Sequence, residues 1–479
     1  MSQRSMLFCG QLFHYLAALG MGAAISCSPD SAGIVLVIQG ANSSVVRIEV
    51  TPKVGNKTLP VEVFNDIAGV SEIKLGFQLP RSYLGQSVSF QVNAIDGKGC
   101  AIKGTSFQLA TDELRRYELK NMLQDNVDVS VSNNLFAIHG SSSKDVWAVG
   151  DANSVIKWDG CFWQRVPGPT DDSLVSLFVS PAGSDKGVFG TSEKKIYKYD
   201  AKTMSWAVDY DPALTAGTDA IQAIHGTGEN DVWAVASNRS ATDAVPAFDP
   251  QKTNSYIYHR GMNGWAPVSV GLKDINGTDP PGPAYKTISN YILKTVYAIN
   301  GSDVYVGGGD NFAEKTGSMT VSNLFLAKWN VGNWRTQDTS SIGKKGQIIS
   351  FAGRSIVDFW YGPRPLALVR SENGTPRVVT EYGNMFNSIT NGPLYATQRI
   401  VLFPQSNDVW VNSTIADFNG YKSLIAHFNG SWTTHAELNS ISTKFTSLWA
   451  SAPDDVWFTA YAGLRARYDG QQFQRIPMQ

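Results

Sequence analysis

A tripeptide recurs along the C-terminal two-thirds of this chain, and its spacing constrains the fold more than any other feature. Asp145-Val146-Trp147, Asp231-Val232-Trp233, Asp408-Val409-Trp410 and Asp455-Val456-Trp457 each lie inside a short apolar run. In the first copy, four such runs follow one another. They are Leu135 to Gly140, Asp145 to Gly150, Val155 to Gly160 and Phe162 to Val166, which read as four strands with three connections. Weaker copies centre on Val188-Phe189, Asp303-Val304-Tyr305 and Val357-Asp358-Phe359-Trp360. The count is seven, at a mean spacing of about 50 residues, within the range of propeller blades.

Physical chemistry says why such repeats must stack. A four-stranded sheet cannot bury both of its faces alone. In a strand, Val146 and Trp147 point to opposite faces, so each repeat carries large apolar residues on both. Sheets set face to face around an axis cover one another. Trp158-Asp159-Gly160, Phe428-Asn429-Gly430 and Tyr468-Asp469-Gly470 are turn steps that suit type I′ hairpins. Trp163 and Trp432 follow, placed to pack across them. All 13 Trp fall after residue 133. The expected fold is therefore all-β, with a seven-bladed β-propeller over 134–479.

Before it, residues 28–133 show period-two alternation in Val45 to Val50, Val61 to Phe64, Glu72 to Phe77 and Ser87 to Val92. Asp96-Gly97-Lys98-Gly99 is a hairpin turn, and Val127 to Val131 reads as a last strand. A helical pattern over Asp112 to Leu123 competes with strand. The expectation is a small immunoglobulin-like β-sandwich.

Residues 1–27 read as a lipoprotein-type signal peptide. Arg4 precedes an apolar stretch from Leu12 to Ile25, which ends in Ala24-Ile25-Ser26-Cys27. Small residues before a Cys resemble a bacterial lipobox, and Cys27 is the lipidation candidate. No apolar run of about 20 residues occurs later. Of the 4 Cys, this leaves Cys100 and Cys161. An oxidising compartment would allow a bridge, but their places in different domains favour two separate thiols. No C-x-x-C pair supports zinc. Charged residues are 17% of the chain and the net charge is -1, so nothing favours nucleic acid.

The run Asp-Val-Trp-Ala-Val-Gly followed by Trp-Asp-Gly-x-x-Trp resembles the WD40/YVTN/BNR-like repeats of bacterial surface lipoproteins. The resemblance implies a propeller and an exported location, and it implies no reaction; the localisation expected is the cell envelope, lipid-anchored at the outer membrane. The Asp-Gly-x-x-Trp turns also resemble the Asp-box of sialidases, a structural element in that family.

His139 and His225 share one repeat position, six residues before Asp145 and Asp231. They are read as structural, each hydrogen-bonding across the tight turn, on spokes too different to share a metal. No H-E-x-x-H, G-x-S-x-G or P-loop pattern occurs. Asp171-Asp172 and Asp454-Asp455 are read as solvated turn residues. The long insertions fall on one face of the expected disc and carry Asp243, Phe248, Asp279, Tyr285, Asp310, Asn311, Phe312 and Lys315, the candidate binding-face residues. The function expected is a non-catalytic, monomeric envelope lipoprotein whose propeller binds an unidentified envelope or extracellular protein, with no cofactor or metal. A lectin-like carbohydrate-binding propeller is the alternative, motivated by the Trp and Tyr content. A glycan hydrolase, needing a carboxylate pair at the channel mouth, comes third.

Overall fold

The structure, a computed structural model, describes residues 5–6, 31–39, 44–65, 72–110, 117–125, 132–212, 219–238, 255–268, 271–273, 291–310, 314–316, 319–321, 324–337, 346–355, 358–364, 368–384, 394–417, 420–435 and 444–476, with residues 278, 339 and 438, and without a few isolated positions inside these ranges. The chain divides into two units.

The N-terminal unit holds two sheets. One contains Ser31–Gln39 between Glu72–Pro80 and Tyr117–Met122, with Ser5–Met6 at its edge. The other is built on Val45–Val54, Ser87–Asp96 and Ala101–Ala110. Leu36 and Ile38 of the first sheet share one buried cluster with Ile48, Val50, Phe90 and Val92 of the second. The period-two alternation of Val45 to Val50 and Ser87 to Val92 placed Ile48, Val50, Phe90 and Val92 inward, whereas in Val61 to Phe64 it is Phe64 that is buried and Val61 and Val63 are exposed. The Asp96 turn is present, with Asp96 Oδ1 accepting from the Lys98 and Cys100 amides at 2.9 and 2.8 Å. Within the helical pattern over Asp112 to Leu123, Tyr117–Met122 is a parallel strand paired with Ile34 to Gln39, and the remaining positions lie outside the described residues. The expected strand at Val127 to Val131 lies outside the described residues, as does Cys27.

Cys100 and Cys161 form a disulfide with a Cα–Cα distance of 5.4 Å, contrary to the expectation of separate thiols. The reason is that the domain division is not a single cut in sequence. Gly160–Phe162, although inside the repeat region, belongs with the N-terminal unit.

The second unit contains seven four-stranded antiparallel sheets in sequence order, the fourth carrying a fifth, parallel strand at Leu272–Lys273. The first strands are Leu135–Ser142, Ser176–Val179, Asp219–Gly228, Tyr291–Asn300, Gln347–Ser355, Leu394–Leu402 and Phe445–Ala452. Residues from all seven line one cavity. Seven buried clusters join successive sheets, and the seventh joins the last to the first through Trp457, Trp163, Val146 and Ile138. An open array of seven sheets would have six such seams, so the ring is closed. Thr446 Oγ1 also donates to the Leu135 carbonyl at 2.5 Å across the closing seam.

The Asp-Val-Trp strand works as its alternation requires. Val146 faces the closing seam while Trp147 faces the second blade, and Val232 and Trp233 divide in the same way. Trp147, Trp163, Trp233, Trp334, Trp410 and Trp457 are fully buried. Each contributes roughly 3 kcal/mol of transfer free energy.

The turns differ from expectation. Trp158 pairs with Trp163 and Tyr468 with Phe473, so the loops hold four residues rather than two. Only their glycines, Gly160 and Gly470, take positive φ. Asp469 Oδ1 accepts from the Gln471 and Gln472 amides, so the acid caps the loop and type I′ geometry is not needed.

Candidate binding site in the central channel

The first strands build the channel in layers. The residues paired with the aromatic position of each second strand are His139, Phe178, His225, Tyr297, Ala352, Val401 and Trp449. His139 and His225 face each other with ring centroids 6.2 Å apart. Phe178 lies 5.5 Å from the first ring and 5.8 Å from the second, and Tyr297 stacks on His225 at 4.2 Å. Two blades on different spokes thus bring their imidazoles into edge contact near the axis.

Their hydrogen bonds differ from expectation. His139 Nδ1 accepts from the Val179 amide and His225 Nδ1 from the Ala298 amide, each at 3.1 Å. Each histidine ties its blade to the next one, and neither bonds the repeat aspartate. Accepting at Nδ1 places the proton of the neutral ring on Nε2. Burial, then His225, then Arg399 lower the His139 pKa to about 3. Burial lowers that of His225 to about 4, with Asp231 opposing.

Two residues before this layer lies a second one: Ala137, Ser176, Ala223, Thr295, Ser350, Arg399 and Ser447. Six members are small and one is arginine. In every blade but the second, a β-bulge immediately precedes this position. A bulge re-aims the side chain that follows it. The cavity these layers enclose is about 210 Å³. Its described lining includes Arg399, His139 and His225 and no Asp or Glu.

Four of the repeat aspartates are engaged inside their own blades, while Asp145 also accepts from the Ser184 amide of the second blade at 2.9 Å. Asp231 accepts from His259 at 3.0 Å, Asp408 from His427 at 2.8 Å, Asp303 from Lys328 at 2.5 Å and Asp455 from Arg467 at 2.7 Å. Burial would raise the Asp231 pKa, but hydrogen bonds from His259, Thr227 and Trp233 outweigh it and hold the carboxyl below its ordinary value. Asp455 is buried at 7% exposure, which corrects its reading as a solvated turn residue, whereas Asp454 is exposed. The second strand begins at Asp455, so its side chain is held in the blade by Arg467 and Ser451.

Of the loop candidates, Asp243, Phe248, Asp279, Tyr285, Asn311 and Phe312 lie outside the described residues. Asp310 ends the second strand of blade four, paired with Tyr291. Lys315 belongs to a two-stranded ribbon, Glu314–Thr316 with Met319–Val321, and pairs with Thr320. Sequence reasoning missed Arg399. The available signal was a single long side chain at a repeat position otherwise filled by Ala, Ser or Thr.

No protein family and no curated protein matches this sequence. In three dimensions the chain is similar to solved β-propellers. YCF48 bound to D1 peptide shares 12% identity at a TM-score of 0.45, over 71% of this chain and 95% of that one. YCF48 from Cyanidioschyzon merolae gives 12% and 0.45, over 72% and 98%. The WD40 β-propeller domain of Doa1 gives 10% and 0.42, over 72% and 95%. Identities this low speak to fold alone, and scores of this size add no weight to it. The ring rests on its own strands and seams.

Proposed function

We propose that this chain is a non-catalytic cell-envelope lipoprotein, held at the outer membrane through Cys27, whose propeller is a protein-binding scaffold and whose N-terminal unit is an immunoglobulin-like spacer. One observation carries the reading: the ionisable groups of the repeat are committed to structural contacts within and between blades. The aspartates accept from His, Lys or Arg on the third strand of their own blade, and His139 and His225 accept from backbone amides of the next blade at Nδ1. A hydrolase would need a carboxylate pair at the channel, and the described lining holds none. The buried state of six Trp weakens the lectin-like reading, since a sugar needs an open aromatic face. The Cys100–Cys161 bond supports an oxidising compartment.

Cross-linking the full chain in intact cells and extracting the membranes tests this. The expected result is one discrete protein partner, lost when the ribbon Glu314–Val321 is replaced by a short glycine link. Saturable binding on a glycan array without a protein partner would overturn it. Cys27→Ser is expected to release the chain from the membrane fraction, and full retention there would contradict the anchor.

A further inference from the structure

We propose that the central channel is a binding site for a small oxyanion, clasped by Arg399 with the Nε2–H groups of His139 and His225 as further donors. Arg399 has no ion-pair or hydrogen-bond partner among the described residues, and it lines the cavity half-buried, with the cavity open to solvent. Partial burial disfavours the lone charge, and its unpartnered N–H fork is left free to meet an anion entering the channel. Every other member of its layer is Ala, Ser or Thr, which leaves room beside it. The bulge between Thr397 and Arg399 aims the side chain inward.

Charge and chemistry select the ligand class. Arg399 is the one ionised group in the described lining, because the two imidazoles are neutral at pH 7. A guanidinium offers a planar fork that matches carboxylate or phosphate oxygens. The neutral imidazoles offer N–H donors without a second positive charge. The volume of about 210 Å³ accommodates an inorganic oxyanion or a small dicarboxylate and excludes a folded chain. The site is independent of what the rim of the disc contacts, so it stands or falls separately from the scaffold reading.

Thermal unfolding and calorimetry of the full chain, freed of anions by exchange into a chloride-poor zwitterionic buffer, test it. The probes are inorganic phosphate, sulfate and succinate. The wild-type protein is expected to show saturable one-to-one binding of at least one probe and a rise in Tm with its concentration. Preference for phosphate and sulfate over succinate would assign an inorganic ligand, and the reverse a carboxylate. Arg399→Met is expected to weaken binding by at least about tenfold, the loss of a charge-assisted contact, and to raise Tm in the anion-free buffer by removing an uncompensated cation. Arg399→Lys, which keeps the charge, is expected to bind with intermediate affinity. Absence of binding by the wild type, or equal binding by both variants and wild type, would overturn the proposal.

Discussion

The guanidinium carbon of Arg467 lies 4.6 Å from the ring centre of Trp457, and its Nε donates to Asp455 at 2.7 Å. A basic or imidazole side chain on the aromatic recurs in every blade. Lys157 lies over Trp147, Lys198 over Phe189, Lys328 over Tyr305 and Arg370 over Trp360, while His259 and His427 stack on Trp233 and Trp410 at 4.2 Å. In each case the two residues are directly paired on the second and third strands. The basic or imidazole side chain covers a seam aromatic, and in every blade but the second its polar tip also reaches the aspartate at or just before the strand start, whereas Lys198 pairs with Glu229. Arg467→Met keeps most of the apolar cover but leaves Asp455 buried without its cation. The expected cost is about 2–4 kcal/mol, read from the shift in urea midpoint, and a double change with Asp455→Asn should recover part of it.

Acid should loosen the ring in two stages. His139 and His225 have folded pKa values of about 3 and about 4, against 6.5 for an ordinary histidine. Between these limits the unfolded chain binds more protons than the folded one, so stability rises with pH. Their contribution is complete above pH 6.5 and is lost progressively as pH falls toward 4. Each pKa unit corresponds to about 1.4 kcal/mol, so the loss is on the order of a few kcal/mol. Asp145, Asp231, Asp303 and Asp408, whose folded pKa values are lowered, add a second loss below about pH 4, as they take up protons. Urea unfolding from pH 4 to 7 checks this. A His139→Gln, His225→Gln protein should show a flatter profile between pH 4.5 and 6.5, by about half or more.

The disulfide makes a separate prediction. Unreduced protein should release a Cys100–Cys161 linked peptide on digestion, and Cys161→Ser should remove it. The bond spans 61 residues, so its loss should cost about 2–4 kcal/mol, measured as the difference in urea unfolding with and without the bond.

The blades were legible because their signal is local. Alternation in Asp145 to Gly150 places Val146 and Trp147 on opposite seams with no tertiary knowledge. The cation stack was present in the same strings, as the residue before the aromatic in Lys157-Trp158, Lys198-Tyr199, His427-Phe428 and Arg467-Tyr468. It becomes visible only when register pairs that residue with the second strand. Arg399 was hidden for a different reason. The first strand of blade six lacks the apolar alternation of its counterparts, and the inward aim comes from a bulge that no local pattern announces. The two histidines were found, but their meeting depends on the diameter of the closed ring. The cysteine pair was missed because a domain boundary drawn in sequence cannot return three residues of a later hairpin to the earlier unit.

Closure of the ring is the claim on which the channel, the seams and the proposed anion site all depend. The Ala462 amide donates to Asn134 Oδ1 at 3.0 Å, joining residues 328 apart in sequence. Introducing Asn134→Cys with Ala462→Cys and oxidising mildly should give a cross-linked peptide between them in the folded protein, and none after unfolding in urea. Failure of that cross-link to form in folded protein, while the native Cys100–Cys161 peptide is recovered, would show that the first and last blades do not meet.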